Sequence, residues 1–452
     1  MSSPPPCVVT GANREPSQGR SRSSVGPVGA MSVRSLRTLR RGTLMEDATV
    51  MSATHAHGPL TGIRVIDLSA VVSGPFGTAI LADQGADVIT VEQARGADMI
   101  RSAGPVADSA QGVSAYWSAM NRNKRAIALD LKQPAGKQLV FDLVATADVL
   151  VQNFRPGALD RLGLGWEVLS ALNPQLIMCS ISGFGPDGPY AHRPAFDPIV
   201  QSVASYPVVQ TDDAGRPQLV NTIVCDKVTS LNVAQSVCAA LVARASGAGG
   251  QHIELAMVDA SIHFLWPEAM WNLTYLDHPS DVPDLSSIYK LYRTKDGWAM
   301  VYPVATTAHW EGLCHALGRP DLAADPRFAD IQGRLRNGHV VNDELAVEIK
   351  RFSTAEFVEL MDAADVPVAP VNTREAMIED PHVRHRGIVV ETEHPTAGRI
   401  RQARPPAIFS KTPSGLRRAA PCFGEHTDEV LAEVLGLSAT QISDLRSSGA
   451  VC

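Results

Sequence analysis

The chain has 452 residues, 45% hydrophobic and 19% charged, enough at roughly 100–200 residues per domain for two or three domains. A formal net charge of −7 argues against a nucleic-acid coat, and no run approaches 18 consecutive apolar residues, the length a membrane-spanning helix needs. Residues 1–44 hold seven Arg and one acid, Glu15, which leaves an acidic body behind a basic Ser/Pro/Gly-rich head. Such a head cannot bury enough apolar surface to offset its ordering entropy. Residues 1–57 therefore read as disordered: either an extension ahead of a start at Met45 or Met51, or an Arg- and Ser-rich transit peptide. Seven scattered Cys without a CxxC pair suit a reducing compartment, so the expected location is cytoplasmic, or an organellar matrix if the head is a transit peptide.

Order begins near Pro59. Residues 64–68 read as a strand, 74–84 as a helix with Pro75 in its first turn, and 87–92 as the next strand, which makes a βαβ unit. A helix at 134–147, a strand at 149–152, a helix at 166–173 and a strand at 176–180 continue the alternation. That pattern predicts an α/β fold with a Rossmann-like, doubly wound parallel sheet. A long helix spans 226–246, a short strand 252–255 and a further helix 256–275. Pro279, Pro283, Ser286 and Ser287 mark a linker into a smaller α+β unit with a strand at 298–303 and helices at 307–317 and 340–364. Residues 370–400 read as Pro-rich loops, and 427–436 as a last helix. The division is 58–278 for the large domain, 279–375 for the small one, and 376–452 as a segment returning to the large domain.

Gly183-Phe184-Gly185-Pro186-Asp187-Gly188 matches GxGxxG after a strand. A dinucleotide fingerprint must open a helix, and Pro186, Pro189 and Pro194 argue against one, so an NAD-dependent oxidoreductase is a remote alternative. Residues 95–161 hold nine Lys/Arg against six Asp, several at strand ends, where a polyanionic ligand binds in open α/β sheets. A solvated charged face explains the same composition. Asp226 lies where an apolar run meets a long helix, so it reads as an N-cap or as a carboxylate nucleophile. Asp197, before Pro198, is a second candidate acid, with a turn acid as its plainer reading. No metal-ligand spacing is found among the thirteen His.

Taken together, the segments 60–68, Gly74-Pro75, 81–89, 121–125, 129–132, 153–163, 182–185, Gly250-Gln251 and 424–427 resemble the class III CoA-transferase family, which includes formyl-CoA transferase, carnitine CoA-transferases and alpha-methylacyl-CoA racemases. The resemblance covers about 58–452. It implies an interlocked ring-shaped homodimer acting on acyl-CoA and carboxylate substrates, with coenzyme A as substrate and no permanently bound cofactor. It implies a nucleophilic role for Asp226, stabilised as an anion by helix-start amides, and aspartyl-anhydride and aspartyl-CoA intermediates. It also implies a CoA pocket lined by Val72, Ser73, Leu129, Asp130, Leu131, Lys132, Asn153, Phe154, Arg155 and Arg161, with Phe196 and Asp197 as active-site support. Three departures stand out. Residues 279–290 lack the glycine run of formyl-CoA-type relatives. Phe196 stands where the racemases carry a His, which makes a transferase the main reading and a racemase or isomerase the alternative. Gln93 stands where formyl-CoA transferase has a CoA-contacting Arg, a role Arg95 is placed to fill. A catalytically silent CoA-binding protein is a further alternative.

Overall fold

The structure is a computed structural model; the described residues are 58–107, 112–212, 214–278, 289–303 and 306–452. The expectations for residues 1–57 and for most of the 279–290 linker lie outside them.

Six strands, β1 (Arg64–Asp67), β2 (Asp87–Gln93), β3 (Lys124–Leu129), β4 (Val149–Gln152), β5 (Ile177–Ser182) and β6 (Gln251–Ala256), form one sheet in the order β3-β2-β1-β4-β5-β6. Every neighbouring pair is parallel. Successive side chains of a strand face opposite sides, so both faces need cover, and both receive it. Ile66, Leu150 and Met178 join a cluster under α3 (Pro134–Ala145), α4 (Ala158–Leu162) and α5 (Trp166–Leu172). Val65, Val149, Val151 and Ile177 join a cluster on the other face. There α1 (Ser73–Asp83) packs on α8 (Val224–Ala243). Gly77 permits that approach, because a Cβ at 77 would lie 2.8 Å from Val233 Cγ1. By length and composition alone α8, with its continuation to Ala248, could cross a membrane. In this fold it is a core helix between α1 and α9 (Met257–Ala269).

Sequence pattern alone does not announce β3, α2 (Ala115–Asn121), α6 (Asp197–Val203) or the four-residue α7 (Tyr206–Val209). β3 was hidden because Lys124 and Arg125, fully or nearly buried in ion pairs, imitate a polar turn.

A third cluster, around Tyr292, Trp310, Phe328, Leu345 and Phe357, is built from residues 292–368. It combines an antiparallel sheet of β7 (Tyr292–Arg293), β8 (Trp298–Val301) and β9 (Val368–Pro370) with α10 (Thr307–Ala316), α11 (Pro320–Ala323), α12 (Ile331–Arg336), α13 (Gly338–Ile349) and α14 (Thr354–Ala363). The expected single helix over 340–364 is thus two. Ser353 breaks it: its hydroxyl accepts the Glu356 N–H while the Glu356 carboxylate accepts the Ser353 N–H, a capping box. Ser353→Ala should lower stability by about 1 kcal/mol, read as a shifted urea midpoint.

The stretch 370–400 is also more ordered than its prolines suggested. It holds α15 (Arg374–Glu379), α16 (Pro381–His385) and a hairpin of β10 (Val389–His394) with β11 (Gly398–Ala403). Pro370 ends β9, Pro381 opens α16, and Pro395 lies in the hairpin turn, positions where a missing N–H is harmless. Two helices close the chain, α17 (Thr427–Leu435) and α18 (Ala439–Ser447). They return to the free edge of β3: the His426 N–H donates to the Ala126 carbonyl, and Leu129 bridges Val451.

Candidate active site

The strand order reverses between β1 and β4. Ligands of open α/β sheets bind outside the carboxyl ends of the strands at such a switch point. The two loops that leave β1 and β4 are tied together there. The Asn153 side chain accepts the Ala70 N–H at 2.9 Å and donates to the Ala70 carbonyl at 2.7 Å. Next to Ala70, Val71 has φ +69°, a region costly for a β-branched residue, and its N–H is held by Asp98 Oδ2 at 2.8 Å.

Underneath lies a buried polar anchor. Lys124 Nζ donates to Asp67 Oδ2 at 3.0 Å, to the Pro75 carbonyl at 2.8 Å and to Asn121 Oδ1 at 2.9 Å. Asp67 also accepts from the Ser69 N–H and hydroxyl and from the Thr78 hydroxyl. Both ionic side chains are 0% exposed. This anchor fixes the path from β1 into α1.

Asp226 lies in the first turn of α8, not at its cap; the N-cap is Ile223, without a side-chain bond. Asp226 is 9% exposed, and the Ser73 backbone N–H at the start of α1 favours its charged form. A cavity of about 220 Å³ is lined there by Ala70, Val71, Ser73, Asn153, Phe196 and Asp226, among others. The Asp226 amide is taken by Asp197, whose Oδ2 accepts it at 3.0 Å. Burial, and next the negative charge of Asp197, push the Asp226 carboxyl up to about 7; the Ser73 N–H only partly offsets them. The expected anion stabilisation by helix-start amides is therefore outweighed. Burial and the two carboxylates also lift the Tyr116 hydroxyl to about 12. Sequence pattern carried no signal for Tyr116, because α2 itself was not recognised.

Two further cavities adjoin residues 153–155. One, about 130 Å³, lies beneath Leu68–Ala70 and touches Gln93, Leu131 and Phe154. The other, about 180 Å³, touches Phe154, Arg155, Ser180 and His252. Leu129, Asp130, Lys132 and Arg161 line none of the three. Leu129 is buried in the core, as is Val72 against Ile100 and Trp117, so neither offers a side chain to a ligand. Asp130 turns its carboxylate onto the Lys132 N–H.

The basic run needs correction. Arg101, Arg122, Lys124 and Arg125 are spent on Glu92, Asp83, Asp67 and Asp87; they hold the fold. Arg95, Lys132, Arg155 and Arg161 are exposed and form no salt bridge among the described residues, and all four follow the carboxyl ends of β2, β3 or β4. The glycine run after β5 opens no helix: Gly185 and Gly188 have φ +96° and +83°, and α6 starts only at Asp197. A dinucleotide fingerprint is thereby absent at this position.

The sequence matches the family described as CoA-transferase family III over residues 60–427. The chain belongs to this family. A succinate–glutarate CoA-transferase of Agrobacterium fabrum is 37% identical over 83% of this chain and 96% of its own length. The succinyl-CoA–L-malate CoA-transferase beta subunit of Chloroflexus aurantiacus is 35% identical, over 88% and 99%. A formyl-CoA:oxalate CoA-transferase of Bradyrhizobium diazoefficiens is 32% identical, over 87% and 97%. Among solved structures, a CAIB/BAIF family protein from Brucella suis superposes with a TM-score of 0.72 at 32% identity, covering 84% of this chain and 100% of that one. This family III CoA-transferase thus takes CoA thioesters as substrates, and its switch-point cleft holds a strained Val71 and a buried carboxylate, Asp226.

Proposed function

We propose that this CoA-transferase moves CoA between a dicarboxylic acyl-CoA and a free carboxylic acid, with Asp226 as the nucleophile. The supporting observation is the Asp226 carboxylate itself: buried, lifted toward neutrality, and facing the cavity at the switch point. An Asp226 oxygen attacks the donor acyl carbon, the C–S bond breaks, and CoA thiolate leaves a mixed anhydride. The thiolate then attacks the Asp226 carbonyl carbon, releasing the donor acid and forming an aspartyl-CoA thioester. The acceptor carboxylate attacks that carbonyl, thiolate leaves again, and its return to the acceptor acyl carbon frees Asp226. Several lower barriers replace one high one, and the chemistry requires that water be kept from the anhydride. The dicarboxylic class rests on the names of the succinate–glutarate and succinyl-CoA–malate relatives.

Arg95, Lys132, Arg155 and Arg161 serve the CoA phosphates in this reading. Arg155→Ala and Arg161→Ala should each raise KM for acyl-CoA about 10-fold with kcat little changed, on the order of one charge-assisted hydrogen bond. The penalty should shrink with added salt, as read in steady-state kinetics.

The homodimer belongs to the same proposal. Ile199 of α6, Leu231 and Val242 of α8, and Phe264 of α9 are exposed, an apolar surface suited to a second copy.

The test is covalent capture with succinyl-CoA, glutarate and hydroxylamine. A hydroxamate mapped to Asp226 is expected. Exchange that proceeds with no modification at Asp226 overturns the reading.

A further inference from the structure

Asp197 is hidden, 2% exposed, at the first position of α6, and each of its oxygens accepts from an N–H donor. Oδ2 takes the Asp226 amide at 3.0 Å. Oδ1 takes Gln201 Nε2 at 2.6 Å. Gln201 in turn braces the approach to α8: Nε2 reaches the Val220 and Thr222 carbonyls at 3.2 Å, and Oε1 accepts the Val220 N–H at 3.0 Å. A carboxyl with only donors around it is held as an acceptor, that is, as a carboxylate. No cation forms a salt bridge with it among the described residues; Lys227, next to Asp226, turns its amine to the Thr222 hydroxyl instead.

We propose that Asp197 is a positioning residue that drives Asp226 toward its acylated forms by like-charge repulsion. This rests on Asp226 as the nucleophile. Through the amide of Asp226, Asp197 fixes the backbone of the nucleophile and at the same time removes that helix-start donor from any role in stabilising the Asp226 anion. Once Asp226 has lost its proton, as attack requires, the pair carries two negative charges close together in a buried site, which is unfavourable. When an Asp226 oxygen bonds to the acyl carbon and thiolate leaves, the resulting anhydride is neutral. When thiolate attacks the Asp226 carbonyl and the donor acid departs, the thioester is neutral too. Each covalent form relieves the repulsion, and the negative charge leaves with thiolate or carboxylate. The repulsion thus raises the ground state and not the intermediates.

The other groups facing Asp226 do not supply this effect. Ser73 at the start of α1 contributes a backbone N–H, Tyr116 of α2 a hydroxyl pushed to about 12, and Cys225 of α8 a thiol that burial pushes to about 11. All three are uncharged near neutral pH.

The test compares Asp197→Asn, Asp197→Thr and Asp197→Glu with wild type, using succinyl-CoA and glutarate. Asn and Thr keep an acceptor for the Asp226 amide and lose the charge; Glu keeps the charge. The acid limb of kcat/KM should move to lower pH in the Asn and Thr variants and stay near the wild-type position in the Glu variant. The equilibrium fraction of chain captured by hydroxylamine at Asp226 should fall several-fold in the first two only. An unmoved limb and unchanged capture in a folded Asn or Thr variant overturn the proposal and reduce Asp197 to a brace. If wild type itself shows no capture at Asp226, the nucleophile reading fails instead, so the two failures are distinct.

Discussion

Asp226→Asn should abolish CoA exchange and at the same time make the protein more stable above pH 7. The loss follows from removing the nucleophile: amide nitrogen and oxygen cannot form the anhydride, and loss of such a group lowers turnover on the order of 10³-fold or more. The gain follows from linkage. The Asp226 carboxyl ordinarily titrates at 3.8 and is lifted to about 7 in the fold. Between these values the folded protein keeps a proton that the unfolded chain has released. Wild-type stability therefore falls as pH rises from about 4 to about 7, and is flat beyond. At ~1.36 kcal/mol per pKa unit, the burden above pH 7 is about 4 kcal/mol. Asn keeps an acceptor for the Ser73 N–H without this burden. Thermal melts of both proteins from pH 4 to 9 should coincide at the acid end and diverge upward for Asn. Parallel curves, or an Asn variant with exchange intact, contradict the assignment.

Lys124→Met should be the most damaging single change to the fold. It leaves Asp67 as an uncompensated carboxylate at 0% exposure, and breaking a buried pair from one side costs about 3–5 kcal/mol. It also removes the donor of Asn121 Oδ1, while the Pro75 carbonyl keeps the Thr78 hydroxyl. Asp67→Asn combined with Lys124→Met should recover much of the loss, since no buried charge then remains. Guanidinium denaturation of the two single variants and the double variant gives the coupling energy. Additive losses would mean that the pair is not coupled.

These two carboxylates explain what sequence can and cannot disclose here. The parallel sheet was legible because its strands are short apolar runs separated by helical spacing, and Asp226 stood out where an apolar run meets a long helix. What stayed hidden is who neutralises whom. Nine cations between 95 and 161 look alike in a sequence, yet Arg101, Arg122, Lys124 and Arg125 meet acids, while the other five form no salt bridge among the described residues. Lys124 and Arg125 even disguised β3, because a strand is judged by its apolar residues and these two are buried by pairing. Asp226 looked like a cap, and only tertiary contact shows that Asp197 occupies its amide. The hairpin of β10 and β11 was missed for the opposite reason: its strands are half exposed and rich in charged residues, with little apolar alternation to announce them.

The closure of β3 by the last helices also bears on how the protein is made. The His426–Ala126 contact joins residues 300 positions apart, and Val451 lies against Leu129. On the ribosome, at roughly 5–20 residues per second, β3 emerges many seconds before its cover. During that interval its unpaired N–H and C=O groups form an open sheet edge, a ready template for wrong pairing. Loss of residues 420–452 would therefore leave the nascent protein prone to aggregation even with the whole sheet already synthesised.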